Sequence, residues 1–319
     1  MIRALVAVAL SCACTFAVHA QAYPNRPIRL IVPFAAGGGT DIIGRIVAQQ
    51  LTDVLGQQLV VDNRGGAGSV LGTDMVAKAQ PDGYTLLLGN ISLAFNAALY
   101  RKLPYDTLGD LAPVTLVAVQ PNILVIHPGL AARTVKDFAD LARAQPGKLT
   151  FASAGTGSGT HLAMELLKLR LKLDVLHIPY KGTGPALTDV MGGQVSSMLS
   201  TFASALPHVK SGRLRALGVT SKTRSNAAPE VPTLIEAGVP DYEYATWYGL
   251  LGPRGLPRPI VDRLHQAARQ ALTTDDAKHK LDGQGVDPLL STPTEFAAYL
   301  KSETEKWTSV VRVAKIPPQ

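Results

Sequence analysis

Ile28-Arg29-Leu30-Ile31-Val32-Pro33-Phe34 runs directly into Ala35-Ala36-Gly37-Gly38-Gly39-Thr40-Asp41, and Lys148-Leu149-Thr150-Phe151-Ala152-Ser153 into Ala154-Gly155-Thr156-Gly157-Ser158-Gly159-Thr160-His161. Each stretch reads as a buried strand, a glycine-rich turn and a helix start. A hydroxyl residue suited to an N-cap closes each turn: Thr40 in the first, Ser158 or Thr160 in the second. The free N–H groups and partial positive charge of a helix N-terminus favour anions, and glycine lets a ligand approach the backbone. Neither turn contains Arg or Lys. Two such turns, facing each other across a cleft, are expected to hold one small carboxylate through backbone space at Gly37, Gly38, Gly155 and Gly157.

Working outward, strands and helices alternate. A helix over 41–55 puts Ile42, Ile43, Ile46, Val47, Leu51, Val54 and Leu55 on one face. Leu59–Val61 is a second strand, 69–79 a second helix, and Tyr84–Leu88 a third strand after the Pro81-Asp82-Gly83 turn. This βαβαβ order implies a parallel sheet with right-handed crossovers. The pattern restarts past Pro121: strands at 123–126, 149–153, 175–179, 195–199 and 214–219, with helices at 134–144, 160–171 and 184–191. Residues 225–242 read as a connection, 246–251 as one more strand, and 257–272, 275–284 and 293–313 as closing helices. In open parallel sheets ligands sit at the carboxyl ends of strands, where both glycine turns fall. The chain exceeds one compact core, so two domains are expected.

Residues 1–22 have the pattern of a secretory signal. Arg3 is followed by the apolar run Ala4–Val18, and Ala20-Gln21-Ala22 fits the small-x-small cleavage site, so the mature chain is expected to start at Tyr23 in the periplasm. The apolar run is too short to span a bilayer. A retained N-terminal anchor and a lipid-anchored cysteine are the less favoured readings. Both cysteines, Cys12 and Cys14, lie in this segment, leaving no thiol chemistry after cleavage. The net charge of +7 is scattered, with no basic run interleaved with aromatics; this argues against a nucleic-acid partner.

Enzyme signatures are missing. No Walker A loop follows any glycine turn, and the dinucleotide fingerprint fails at Thr160 and at Leu71. Phe151 stands where a nucleophile elbow built on Ser153 needs glycine. The histidines beyond the leader have no metal-binding spacing. No catalytic residue, metal or cofactor is therefore expected. The rival reading is a secreted α/β hydrolase using Ser153 or Ser158 with His161 or His177. His161 either faces a ligand or caps its helix. Asp41 either stabilises its own helix start or receives a ligand ammonium. Trp247 and Tyr248 are read first as core or hinge residues.

Seven segments together resemble the Bug (TctC-like) family of periplasmic receptors of tripartite tricarboxylate transporters. They are YPNRPIRLIVPFAAGGGTD (23–41), VVDNRGGAGSVLGTDMVAKAQPDGYTLL (60–87), LPYDTLGDLAPVTLV (103–117), SAGTGSGTHLAMELL (153–167), HIPYKGTGPALTDVMGGQV (177–195), LPHVKSGRLRALGVTS (206–221) and TPTEFAAYLKSETEKW (292–307). The resemblance implies an α/β type II periplasmic-binding-protein fold: two lobes around a hinge, with the ligand cleft between them. Lobe 1 would comprise 23–123 plus 244–319, and lobe 2 124–243. It implies a non-enzymatic, monomeric receptor for a small organic carboxylate, serving transporter membrane subunits or a sensor ectodomain. Its ligand loops match Phe34, Ala35, Ala36, Gly37, Gly38, Thr40 and Asp41, and Ser153, Gly155, Thr156, Gly157, Ser158 and His161. A third region matches Gly89, Asn90 and Ser92. A fourth reads Ser200-Thr201, where the family often carries Asp or Asn, so a partner for a ligand amine is missing there. The family's NRPGAGG-like segment reads Asn63-Arg64-Gly65-Gly66-Ala67-Gly68-Ser69, without its proline.

Overall fold

The structure, a computed structural model, describes residues 23–313 and 318. The expected leader over 1–22 and its cleavage site lie outside the described residues.

Strand β1 (Ile28–Val32), helix α1 (Gly39–Leu55), strand β2 (Leu59–Asn63), helix α2 (Val70–Ala77) and strand β3 (Thr85–Asn90) form the first unit. β1 lies between β2 and β3, parallel to both. Its apolar run is buried on both faces, as a parallel strand covered on each side requires. Ile43, Val47 and Leu51 stack along the inner face of α1 at helical spacing and are wholly buried. The helix stops at Gly56, in the left-handed region with φ 68°, whose N–H returns to the Thr52 carbonyl.

Helix α3 (Ser92–Leu99) follows, then strand β4 (Leu111–Ile126). This strand is far longer than the 123–126 run expected from sequence. The sequence pattern restarts past Pro121, yet the strand passes through that proline and through Pro113. Its register against the later strand β9 (Ala245–Pro253) slips between Pro113 and Thr115 and again between Leu116 and Ala118. Pro121 is the last residue of that pairing, and Asn122 begins the pairing with the next strands. Bulges and the ends of ladders are where a residue without an N–H is tolerated in a sheet.

The second unit contains α4 (Val135–Ala144), β5 (Thr150–Ser153), α5 (Gly159–Leu171), β6 (Leu176–Pro179), α6 (Thr183–Met191), β7 (Ser197–Thr201), α7 (Phe202–Lys210) and β8 (Arg215–Val219). β5 is parallel to β6 and β7, while β4 runs antiparallel to β7 and β8. The chain returns through β9 (Ala245–Pro253), α8 (Arg258–Leu272), α9 (Asp275–Asp282), β10 (Asp287–Pro288) and α10 (Pro293–Val313). The strand order is β2-β1-β3-β9-β4-β7-β5-β6, with β8 and β10 also on β4. α8 packs on α1 and β4, α9 on α1, and α10 on α3 and β4. This mixed α/β sheet, covered by helices, carries the two-lobe architecture.

Two polar anchors fix the return. The indole N–H groups of Trp247 and Trp307 both donate to Oε2 of buried Glu303, at 3.3 and 3.0 Å, tying β9 to α10. The hydroxyls of Tyr242 and Tyr244 donate to the Ala163 and Gly159 carbonyls at 2.5 and 2.8 Å, holding the first turns of α5. Trp247 and Tyr248 are fully buried.

Candidate binding cleft

A small cavity opens where strand ends and helix starts of both units meet. Its wall comprises Phe34, Gly38, Gly39 and Thr40 between β1 and α1, and Asn90 at the end of β3. The second unit supplies Ala154, Ser158, Gly159 and Thr160 between β5 and α5, Thr183 at the start of α6, and Thr201 at the end of β7. Thr246 in β9 completes it. No residue of the wall is charged. An anion there has only N–H and O–H donors to meet.

The first turn differs from its expected form. α1 begins at Gly39, with extended Gly38 as N-cap and no side-chain cap. Thr40 therefore sits inside the helix, and its hydroxyl accepts from Asn90 Nδ2 at 3.0 Å instead of capping. Asn90 Oδ1 in turn accepts from the Ser92 N–H at 2.9 Å. Asp41 turns away from the cavity: its carboxylate accepts from the Gly37 N–H, Asn63 Nδ2 and Arg45. Burial alone would raise its pKa, but those hydrogen bonds and the Arg45 charge hold it below the usual carboxylate value. Of its two sequence readings, the structure favours the one in which Asp41 serves its own helix end.

The second turn satisfies itself. Ser158 is the N-cap and accepts from the His161 N–H at 3.3 Å. The Ala154 N–H donates to Thr160 Oγ1, Gly155 to Ser153 Oγ, Gly157 to His161 Nδ1, and Gly159 to Ser92 Oγ. Gly155, Thr156 and Gly157 lie against the first unit instead of the cavity. A Cβ on Gly155 would reach Gly68, and one on Gly157 the Asn96 and Tyr100 side chains. The Tyr100 hydroxyl reaches the Thr156 carbonyl at 3.4 Å. Ala35 and Ala36 likewise meet the loop before α6: the Ala35 N–H donates to the Lys181 carbonyl at 3.3 Å, and a Cβ on Gly184 would lie 2.8 Å from the Ala36 carbonyl oxygen.

Of the residues expected at the ligand, the cavity wall thus brings together Phe34, Gly38, Thr40, Asn90, Ser158 and Thr201. Ala35, Ala36, Gly37, Asp41, Ser92, Ser153, Gly155, Thr156, Gly157 and His161 stand behind or beside it. Six further wall residues were not among the individual contacts expected, four of them within the two expected loops (Gly39, Ala154, Gly159 and Thr160) and two outside them (Thr183 and Thr246). A signal for Thr183 exists in the sequence. Gly182-Thr183-Gly184 is a third glycine–hydroxyl turn between a strand and a helix.

His161 stacks on His177 with ring centroids 4.1 Å apart, and both rings lie on Phe151. Burial, then the neighbouring His177 and Lys168 charges, push His161 down to about 3. Burial and Lys168 push His177 down to about 4. Both are neutral at ordinary pH. Ser153 Oγ lies 2.6 Å from His177 Nε2, the pairing that the hydrolase reading required. Ser153 is nevertheless fully buried and absent from the cavity wall, so no substrate reaches its oxygen.

A two-lobe α/β fold with an uncharged, donor-lined cavity between strand ends defines a solute-binding protein. Residues 43–316 match the family described as "Tripartite tricarboxylate transporter family receptor", and the chain belongs to it. Protein BugT of Bordetella pertussis is 40% identical over 297 residues, covering 92% of this chain and 91% of that protein. The structure of R. palustris Rpa4515 with adipate is 34% identical, with a TM-score of 0.90, covering 93% of this chain and 100% of the other. MatC from Rhodopseudomonas palustris with bound malate is also 34% identical, with a TM-score of 0.86 and coverage of 91% and 100%. These are solute-binding proteins and not enzymes, which overturns the hydrolase alternative.

Proposed function

We propose that this protein is a periplasmic receptor that captures a small organic carboxylate between its lobes and presents it, as a monomer, to the membrane subunits of a tripartite tricarboxylate-type transporter or to a sensor ectodomain. The observation that carries this reading is the cavity itself. Helix starts from both units converge on a wall that carries six hydroxyl residues and one amide among glycines, Ala154 and Phe34, without a charged residue. Backbone N–H groups at helix N-termini favour an anion without needing a cation. The carboxylates named with the Rpa4515 and MatC structures, adipate and malate, support the ligand class. In this reading lobe 1 is 23–123 plus 244–319 and lobe 2 is 124–243, with β4 and β9 as the hinge strands. The ligand favours closure by binding the closed form better.

The favoured ligand has no ammonium group. A buried ammonium needs acceptors. Asp41 is engaged with Gly37, Asn63 and Arg45, and Ser200 donates to the Thr201 carbonyl. A thermal-shift screen of succinate, malate, adipate, citrate and benzoate tests the reading, with L-aspartate and L-glutamate alongside. A native-state ligand at 100 times its Kd raises stability by about 2.7 kcal/mol. A folded protein whose melting temperature responds to none of the acids rejects the carboxylate receptor. A response to aspartate or glutamate without one to succinate, malate or adipate rejects the amine-free preference.

A further inference from the structure

We propose that the strap Gly65–Ser69, between β2 and α2, is a clasp: it grips two loops of the second unit beside the cavity and sets how slowly a bound ligand escapes, without touching that ligand. This rests on the two-lobe carboxylate-receptor reading above. Three observations lead to it.

The first is where the strap lies. None of its residues belongs to the cavity wall, yet its two ends meet different loops of the second unit. A Cβ on Gly65 would lie 2.8 Å from the Lys181 carbonyl oxygen, in the loop before α6. A Cβ on Gly68 would overlap the Thr156 carbonyl oxygen and lie 2.8 Å from the Gly157 carbonyl carbon and 3.0 Å from the Ser158 nitrogen, in the turn before α5. Both approaches are backbone on backbone, at a range that a side chain would prevent.

The second is the strap's own conformation. Gly66, Ala67, Gly68 and Ser69 all have positive φ, at 147°, 47°, 59° and 93°. Alanine and serine rarely adopt such angles and keep them only where the surroundings impose them. Here α3 and the residue after it do so. Asn96 Nδ2 donates to the Gly68 carbonyl at 2.8 Å and to Ser69 Oγ at 3.2 Å, and the Tyr100 hydroxyl donates to the Ala67 carbonyl at 3.2 Å. The strap is thus set in shape by residues of the first unit.

The third is that the same two side chains also face the second unit. The Tyr100 hydroxyl lies 3.4 Å from the Thr156 carbonyl oxygen, so one donor stands between carbonyls of the two units. A Cβ on Gly157 would overlap Asn96 Oδ1 and lie 3.0 Å from a Tyr100 ring carbon. Strap, Asn96 and Tyr100 form one rigid first-unit surface against the Thr156–Ser158 backbone. Contacts made only in the closed form slow its opening, and ligand leaves through the open form. Association proceeds through the open form and does not depend on them.

Stopped-flow and calorimetric binding to the intact mature protein test this, with succinate, malate, adipate and citrate as probes and the tightest binder used for the variants Gly68→Ala and Tyr100→Phe. Gly68→Ala sets a methyl group against the second unit. Tyr100→Phe deletes only the hydroxyl and keeps the measurement available if alanine at position 68 disturbs folding. Backbone strain in Gly68→Ala acts on open and closed forms alike and shows in the ligand-free melting temperature; the clash acts on the closed form alone and shows in the dissociation rate. Dissociation should quicken about 2- to 12-fold in Tyr100→Phe, the size of one hydrogen bond, and about 10-fold or more in Gly68→Ala, with association within about twofold of wild type in both. An unchanged dissociation rate in folded Gly68→Ala, or in Tyr100→Phe should that variant not fold, overturns the clasp and leaves the receptor reading standing. A loss of affinity carried by slower association alone overturns it too. A folded wild type that binds none of the four acids overturns both.

Discussion

Adding one methyl group at Gly39 should hold the cleft open. An ideal Cβ there falls 2.5 Å from Thr201 Oγ1, 2.8 Å from Thr201 Cβ and 3.0 Å from the Tyr248 hydroxyl. Carbon atoms pack best at about 3.5–4.0 Å, so the contact with Thr201 Cβ is short by roughly 1 Å. Side-chain rotation cannot relieve it, because Cβ is fixed to the backbone. The start of α1 and the end of β7 must separate instead. Overpacking of this kind costs about 1–3 kcal/mol, charged to the closed form alone if the open form separates these residues. At 1.4 kcal/mol per tenfold, ligand affinity should fall about 5- to 150-fold in Gly39→Ala. Gly39 is the first residue of α1 and its φ is not in the left-handed region, so alanine does not strain the helix. The variant should therefore melt no lower than wild type without ligand, bind the tightest carboxylate weakly by calorimetry, and stay more extended in solution scattering when ligand is added. The double variant Gly39→Ala/Thr201→Gly should recover part of the affinity. Wild-type affinity in Gly39→Ala would refute the reasoning.

Two further predictions follow from buried polar groups. Between the unfolded histidine pKa near 6.5 and the folded values of about 3 and about 4, the unfolded chain takes up protons that the folded chain refuses. Stability is therefore fully present above pH 6.5 and falls as pH drops toward 4, by up to about 1.4 kcal/mol per pH unit for each histidine; urea titrations at pH 7 and pH 5 should show a smaller drop for His177→Gln, and an unchanged drop would contradict the neutral stacked pair. Glu303→Ala removes the shared acceptor of two indole N–H groups and should cost about 2–4 kcal/mol, with Glu303→Gln losing less; equal melting temperatures for Glu303→Ala and wild type would deny the anchor.

The strand–turn–helix units at β1–α1 and β5–α5 were legible in the sequence because their apolar runs and helical faces have clean periods. The helices α3 and α7 were not. α3, Ser92–Leu99, is buried nearly all round, so it shows no amphipathic period. α7 is nine residues long with Pro207 inside it, which reads as a breaker. In β4 the two prolines hid a strand that passes from one half of the sheet to the other. At the cleft the glycine turns pointed to the right region but not to the right atoms. Whether an N–H is free depends on Ser92, Ser158 and Thr160, whose hydrogen bonds no local pattern announces. The Asn90–Thr40 and Ser92–Gly159 bonds join segments 50 and 67 residues apart. His161 and His177 met for the same long-range reason, through the parallel pairing of β5 with β6.

Glu303 has an optical consequence. The chain has only two tryptophans, and both indoles end on that one carboxylate. Trp247 stands in β9 opposite Val119 of β4, three residues before β4 turns to its other neighbours at Asn122. All tryptophan emission therefore originates at one dry point beside β9 and β4. On the proposed reading of these as hinge strands, a titration followed at the indole band should report closure without a dye.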